Sequence, residues 1–143
     1  FTLSTTDATA CSQDFDGTPM GPIDCSFDGW LGPFSPGGHN VVVTVTGPGG
    51  AGSCSRSFLV HPPPSCTLSI TPSTGTPSTS FHFVLNASNA TSCSHTFDGV
   101  PSGGVACDYD GWLGPFGAGH HVDVVTATGP GGTTTCSDTF DVQ

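Results

Sequence analysis

The chain contains no lysine and no glutamate, and Arg56 is its only arginine. All eleven acidic residues are aspartate, and the formal net charge at pH 7 is −10. Proteins that bind nucleic acid present a basic face to the phosphates, and proteins that bind anionic membranes carry clusters of Lys and Arg. The charge balance therefore excludes an electrostatic nucleic-acid binder and argues against attraction to anionic membranes.

Long apolar runs and helix-favouring residues are also scarce. No run reaches the roughly 18 apolar residues that a membrane-spanning helix needs, so we expect no membrane insertion. Thr, Val, Gly and Pro are abundant instead, and this composition indicates an all-β fold. Because the chain starts at Phe1 rather than Met, we expect that a signal peptide, or a longer segment that includes one, has been removed or left out.

What the chain does contain is an internal repeat with an offset of 82 residues. The segment Asp-Gly-Trp-Leu-Gly-Pro-Phe at 28–34 returns at 110–116. A repeat of this length indicates a duplicated domain. We predict a first domain at 1–60, a Pro-rich linker at 61–65 and a second domain at 66–143. The cysteine, tryptophan and histidine pairs at this offset are Cys11 and Cys93, Cys25 and Cys107, Trp30 and Trp112, His39 and His121, and Cys54 and Cys136.

The second copy has the more complete strand pattern. Residues 66–71 and 81–85 alternate apolar and polar side chains, which predicts two strands. Residues 71–80 and 98–104 are rich in turn-forming residues and are typical of loops, and Gly129 begins a predicted hairpin turn. About seven short strands at this spacing predict a two-sheet sandwich.

The first copy is shorter at its beginning. Phe1 aligns with Phe83, so residues 66–82 have no counterpart in the first copy. We therefore predict a first domain that lacks its N-terminal strand, which leaves an unpaired strand edge and an apolar groove. Two sources of the missing strand stay open: a neighbouring subunit, or the same polypeptide upstream of Phe1.

Seven cysteines in copies of about 60 to 80 residues indicate disulfides, because domains of this size bury only a small core. Zinc is the competing explanation, but no Cys-x-x-Cys pair occurs. Disulfides require an oxidising compartment, so we expect an extracellular or cell-surface location. The linker His61-Pro-Pro-Pro-Ser65 predicts a stiff polyproline spacer, which suits a rod.

The segments 65–72, 86–93 and 126–136 resemble bacterial immunoglobulin-like repeats akin to the polycystic-kidney-disease (PKD) type, which occur in secreted and cell-surface proteins. The resemblance covers the second copy, and the first copy from its second strand onward. It implies two tandem immunoglobulin-like β-sandwich domains. Such modules serve as stalks, adhesins, fibre subunits and enzyme appendages, and the fold alone does not choose among these roles.

The four cysteines of the second copy allow three pairings. Immunoglobulin-like topology, in which the first and last strands run parallel at one edge, implies one of them, and analogy extends it to the first copy. Cys54 is then left over, either as a free buried thiol or bonded to a partner outside residues 1–143. A bond to Cys66 is disfavoured because the strand between the two cysteines holds them apart. The implied pairs are Cys66–Cys136, Cys93–Cys107 and Cys11–Cys25.

Four aspartates are weak candidates for calcium ligands, because Asp-x-Asp-Gly places carboxylates on a tight turn. Each cluster offers only two carboxylates close in sequence, and no downstream Glu completes the set. Aspartate before glycine, as at positions 16 and 98, is also an ordinary turn former. We expect turns rather than a firm metal site, and no other cofactor is indicated. The candidates are Asp14, Asp16, Asp108 and Asp110.

Trp30 and Trp112 allow two interpretations. Exposed tryptophans on a β-sandwich can stack on sugar rings, whereas a core tryptophan packed against a disulfide is usual in this fold class, and we favour the core position. His39 and His121 occupy equivalent repeat positions, but neither has evident partners for a metal-binding or nucleophilic role. No catalytic triad order, phosphate-binding loop or redox cysteine pair occurs, so we expect no enzyme.

Asn86-Ala-Ser and Asn89-Ala-Thr are acceptor sequences for N-linked sugar, and we expect both on a loop. A covalent glycan is therefore an expected partner. The sequence as a whole favours a structural subunit of an extracellular fibre or stalk, joined head-to-tail to other copies by strand completion. The alternatives are a carbohydrate-binding or adhesin module that uses Trp30 and Trp112, and a spacer segment of a large secreted enzyme.

Overall fold

The computed structural model describes residues 1–143 and contains strands and turns but no helix. The chain divides into two compact units, Phe1–His61 and Pro62–Gln143. The strands of the first unit are β1 (Thr2–Ser4), β2 (Ala10–Phe15), β3 (Thr18–Ile23), β4 (Ser26–Asp28), β5 (Gly37–Gly47) and β6 (Gly50–Val60). Those of the second are β7 (Ser65–Thr71), β8 (Thr74–Gly75), β9 (Phe81–Ser88), β10 (Ser92–Phe97), β11 (Val100–Val105), β12 (Asp110–Leu113), β13 (Gly119–Gly129) and β14 (Gly132–Val142).

Unit 2 consists of two sheets. One has the strand order β11-β10-β13-β14-β8 and the other has the order β12-β9-β7. All neighbouring strands are antiparallel except β8, which runs parallel to β14. The predicted all-β, sandwich-like fold is confirmed.

The core of unit 2 lies between these sheets. Phe81, Phe83 and Leu85 alternate along β9 and are all buried, as their spacing predicts for one face of a strand. Phe140 of β14 packs against Phe81 and Phe83 from the opposite sheet, and Val125 of β13 packs against Leu85. Burial of each such side chain contributes at most about 2 to 3 kcal/mol.

Unit 1 repeats most of this architecture at the 82-residue offset. Its larger sheet has the order β3-β2-β5-β6, whose strands begin and end at the residues equivalent to those of β11, β10, β13 and β14. Its smaller sheet contains only β1 and β4. The core residues Leu3, Cys11, Val41 and Val43 pack between the two sheets. Unit 1 has no strand equivalent to β7 or β8 within residues 1–61.

Two segments that were predicted as loops contain strands. Residues 98–104 form only a two-residue turn at Asp98-Gly99 before β11 begins, and β8 lies within the segment 71–80. Asp98 and Gly99 both have positive φ angles, 51° and 76°, which is the geometry of a tight hairpin turn. Asp16 has the same φ of 51° at the equivalent turn, so its predicted role as a turn former is confirmed.

Candidate functional site

A groove in unit 1 lies between the unpaired edges of β1 and β6. It encloses about 360 Å³, and its floor is formed by the buried side chains of Leu3, Val41 and Val43. The lining residues are Phe1, Thr2, Leu3, Val41, Val43, Cys54, Ser55 and Arg56.

The equivalent positions of unit 2 are covered by β7. Leu68 of β7 pairs with Leu85 of β9, and Ile70 pairs with Phe83. Ile70 is 3% exposed and belongs to the core, with Leu68 packed against it. The counterparts of Phe83 and Leu85 in unit 1 are Phe1, just before β1, and Leu3 of β1, and both line the groove. The groove is therefore the place that β7 fills in the other copy.

β7 is also attached to β14 across the gap between the sheets. The backbone N–H of Ile70 donates a hydrogen bond to the Asp138 carboxylate, with N and Oδ2 2.7 Å apart. A disulfide joins the start of β7 to Cys136, with the Cα atoms 5.8 Å apart. The counterparts of these two anchoring residues are Arg56 and Cys54, and both line the groove of unit 1.

A second depression continues the groove past the beginning of β1. It encloses about 220 Å³, shares Phe1 and Val41 with the first, and is also lined by Trp30, Leu31, Phe34 and Phe58. The matching space in unit 2 is filled by Phe81, which is fully buried and whose ring centroid lies 4.2 Å from that of Phe140. Within residues 1–61, unit 1 thus has no counterpart of the covering strand β7 or of Phe81.

The structure brings six of the seven cysteines together in the three pairs that immunoglobulin-like topology implies. The Cα atoms are 5.3 Å apart in Cys11–Cys25 and Cys93–Cys107, and 5.8 Å apart in Cys66–Cys136. Cys54 is the one free cysteine, and it is exposed rather than buried. For the alternative of a free buried thiol, only the expected burial is therefore wrong.

The predicted core position of the two tryptophans is also wrong. Trp30 is 99% exposed and Trp112 is 63% exposed. Trp112 lies at the edge of the smaller sheet, opposite His82 in strand register, and the two rings stack with centroids 4.7 Å apart. The core positions near the disulfides are occupied by smaller side chains such as Val125 and Ala127.

His39 and His121 have partners that the sequence did not reveal. In unit 1, Asp16 accepts a hydrogen bond from the Asn40 backbone N–H at 2.6 Å and contacts His39 Nδ1 at 2.7 Å. The other ring nitrogen of His39 lies 2.8 Å from the Ser35 carbonyl oxygen. The repeat itself carried a signal, because the Asp-Gly turn and the histidine recur together at the same offset.

Each of these histidines is arranged as an imidazolium. A carbonyl oxygen and an ionised carboxylate can only accept, so both ring nitrogens must donate. The Ser35 carbonyl and then Asp16 raise the pKa of His39 above its ordinary 6.5, and His39 and the Asn40 N–H lower the pKa of Asp16 below 3.8. The Gly117 carbonyl raises the pKa of His121 in the same way.

The calcium candidates do not converge on one point. No group of three or more His, Cys, Asp or Glu side chains is placed to hold a metal ion. Asp16 is engaged by His39, and the Asp110 carboxylate lies 2.5 Å from His82 Nε2.

The chain contains no helical segment with the length and hydropathy that a membrane crossing requires.

The two glycosylation candidates are both exposed, but only one lies on a loop. Asn86 belongs to strand β9, whereas Asn89 lies in the turn after it with a φ of 57°. The Asn89 side-chain amide donates to the Pro63 carbonyl oxygen at 3.3 Å. The expectation of a shared loop is therefore wrong for Asn86.

No family model matches the chain, and no curated protein matches it. Among solved structures, the chain is similar to one described as "Structures of Clostridium thermocellum CbhA fibronectin(III)-like modules". The similarity covers 100% of this chain and 82% of that chain at 15% sequence identity, with a TM-score of 0.43. A similarity at this level does not inform the function.

Proposed function

We propose that the protein is a structural subunit of an extracellular fibre, built from tandem disulfide-bonded immunoglobulin-like domains that are joined by strand completion. The observation that supports this is the groove of unit 1. Its lining residues are the counterparts of those that β7 covers in unit 2. The groove therefore offers a fitting surface for one more strand.

A neighbouring molecule supplies that strand from outside residues 1–143, because every cysteine of these residues except Cys54 is already bonded and β7 already completes unit 2. The free edge of β1 offers unpaired backbone N–H and C=O groups, and the apolar floor accepts alternate side chains of an incoming strand. Such a contact joins one surface to a different surface of the next copy. Repetition of a head-to-tail contact gives an open filament rather than a closed dimer.

Cys54 provides the covalent part of this joint. In unit 2 the equivalent Cys136 is bonded to Cys66 at the start of β7. We propose that a cysteine near the start of the incoming strand bonds to Cys54 in the same way. An oxidising, extracellular location follows from this chemistry, and Asn86 and Asn89 are exposed sites for attached sugar.

A chimera tests the proposal directly. Residues 65–82, which include β7 and Phe81, are placed ahead of Phe1, so that unit 1 receives the segment that unit 2 has. We expect the unmodified protein in its native form, which carries the donor strand, to form filaments in electron micrographs, and the chimera made in that background to remain monomeric because its groove is filled. A chimera with the same residues in scrambled order is the matched control and should still assemble.

Two outcomes would contradict the proposal. Equal filament formation by the chimera and the unmodified chain would show that the groove is not the joint. Absence of filaments from all three proteins, including native material, would show that the chain is not a fibre subunit.

A carbohydrate-binding module is the second candidate, because Trp30 and Trp112 are both exposed. An aromatic face on a β-sheet can stack on a sugar ring, and Trp112 is held flat against His82. A glycan array with Trp30→Ala, Trp112→Ala and the double variant separates the candidates. Glycan binding that the substitutions abolish would support a carbohydrate-binding module. If the unmodified chain binds no glycan on the array, the fibre subunit remains the favoured function.

A further inference from the structure

The only arginine of the chain lies on the groove that the proposed function uses. Arg56 is exposed and lines the groove between β1 and β6. It makes no ion pair, since every ion pair of the protein joins a histidine to an aspartate. In a chain with eleven aspartates, the one permanent side-chain cation is thus left without an anion at an unfilled surface.

The equivalent residue of unit 2 has the opposite charge and a definite task. Asp138 accepts the backbone N–H of Ile70 and so holds β7 against β14. A guanidinium has five N–H donors and no acceptor, so Arg56 cannot make this bond. A strand identical to β7 would leave its Ile70 N–H without this acceptor and would place no anion near Arg56.

We propose that the strand that completes unit 1 differs from β7 by an acidic side chain that pairs with Arg56. This inference rests on the proposed function, because it concerns the occupant of the same groove. Leu68 and Ile70 of β7 point into the core, whereas Ser69 and Thr71 between and after them are exposed. The acid therefore occupies the position of Ser69 or Thr71, at the rim of the groove.

The net charge of the protein makes an ion pair at Arg56 favourable for assembly. Each molecule carries a formal charge of −10, so two molecules repel each other as they approach. Arg56 provides a local attraction at the joint and favours a strand with an acid over one without. It also disfavours β7 itself, which keeps the β7 strand of one copy from being exchanged into unit 1 of another.

Peptide binding to the full chain tests the inference. The chain carries Cys54→Ser, and the probe is a peptide of residues 62–71 with Cys66→Ser, so that no disulfide forms. Two further peptides add Ser69→Asp or Thr71→Asp. Affinities are measured by calorimetry at about 20 mM and about 500 mM salt, since salt screens an exposed ion pair. We expect one acidic peptide to bind about fivefold more tightly than the parent at low salt.

Two substitutions at position 56 are the matched controls. Arg56→Gln should remove the preference, and Arg56→Asp, which recreates the unit 2 residue, should reverse it in favour of the parent peptide. Equal affinities of all three peptides, both for the chain that retains Arg56 and for the Arg56→Gln variant, would overturn this inference and leave the strand-accepting groove intact. Failure of every peptide to bind would overturn the groove as a strand acceptor, and the proposed function with it.

Discussion

The last strands of the two units have the same length and equivalent ends but different surroundings. On β14, Phe140 and Val142 are 1% and 4% exposed, and the inward-facing residues before them are half-buried. On β6, the first eight residues are all exposed, and only Phe58 and Val60 are half-buried. The alternation that marks a strand in a sandwich is thus strong in one copy and nearly absent in the other.

The difference lies in what surrounds each strand. β6 pairs with β5 as β14 pairs with β13, along eleven residues in each case. β14 is also covered by β7 and pairs at its end with β8, whereas no strand equivalent to β7 or β8 accompanies β6. Burial along a strand therefore depends on the opposite sheet as much as on the strand's own sequence. Each unit can thus serve as the control for substitutions in the other.

The largest expected difference concerns the disulfide that ties β7 to β14. The double substitution Cys66→Ser with Cys136→Ser opens a loop with a sequence separation of 70 residues. The lost constraint on the unfolded chain should lower the free energy of unfolding of unit 2 by about 4 kcal/mol. Urea titration followed by hydrogen exchange and mass spectrometry measures each unit separately.

Cys54→Ser is the control for that experiment. It changes the residue equivalent to Cys136 in a unit that has no disulfide at this place. The free energy of unfolding of unit 1 should change by less than about 0.5 kcal/mol, as is usual for an exposed position. A loss comparable to that of unit 2 would mean that Cys54 is already engaged within its own chain.

A smaller difference is expected between two equivalent phenylalanines. Phe140→Ala removes a fully buried ring that contacts the ring of Phe81, and should cost about 3 to 4 kcal/mol in unit 2. Phe58→Ala removes a half-buried ring and should cost about half as much in unit 1. The same exchange measurement applies. Equal costs would show that the groove of unit 1 is closed in solution.

Filling the groove should make Phe58 and Phe140 contribute similar amounts to the stability of their units. In the chimera with residues 65–82 ahead of Phe1, Phe58 acquires the cover that Phe140 has. The cost of Phe58→Ala should then rise towards that of Phe140→Ala. An unchanged cost would indicate that the added segment does not enter the groove.

The repeat made much of this comparison predictable from the sequence. The 82-residue offset shows which residues correspond, and the missing counterpart of 66–82 indicates an open edge. The resemblance to immunoglobulin-like repeats implied the cysteine pairs that the structure brings together. The offset between the repeats and the order of the strands both follow from the order of residues along the chain, so the sequence alone can reveal them.

Properties that depend on three-dimensional neighbours were not predictable. The exposure of Trp30 and Trp112 depends on which side chains reach the sheet edge, and the usual core position was a poor guide. The partners of His39 are Asp16 and the Ser35 carbonyl, which come from a separate turn and a loop. Only the fold brings such groups together, because their separation along the chain does not determine their distance in space.

The smallest expected effect is a pH dependence that both units share. The raised pKa values of His39 and His121 mean that the folded state binds protons more tightly than the unfolded state. Their contribution to stability is fully present below the ordinary value of 6.5 and is lost as the pH rises through the raised values. The pKa values of Asp16 and Asp98 are lowered, so these two carboxylates affect stability only at acidic pH. Their contribution to stability is present above their ordinary pKa of 3.8 and is lost only as the pH falls below that value.

We therefore expect the melting temperature to fall as the pH rises above about 6.5 and through the raised histidine pKa values. The double variant His39→Gln with His121→Gln should show a flatter profile. His61→Gln is the matched control, because His61 is exposed and makes no ion pair, and it should keep the slope of the unmodified chain.

Since the same arrangement occurs in both units, single substitutions at 39 and 121 should flatten the profile of unit 1 and unit 2 to a similar extent. A slope that survives the double substitution would assign the pH dependence to the general repulsion of a chain with a formal charge of −10.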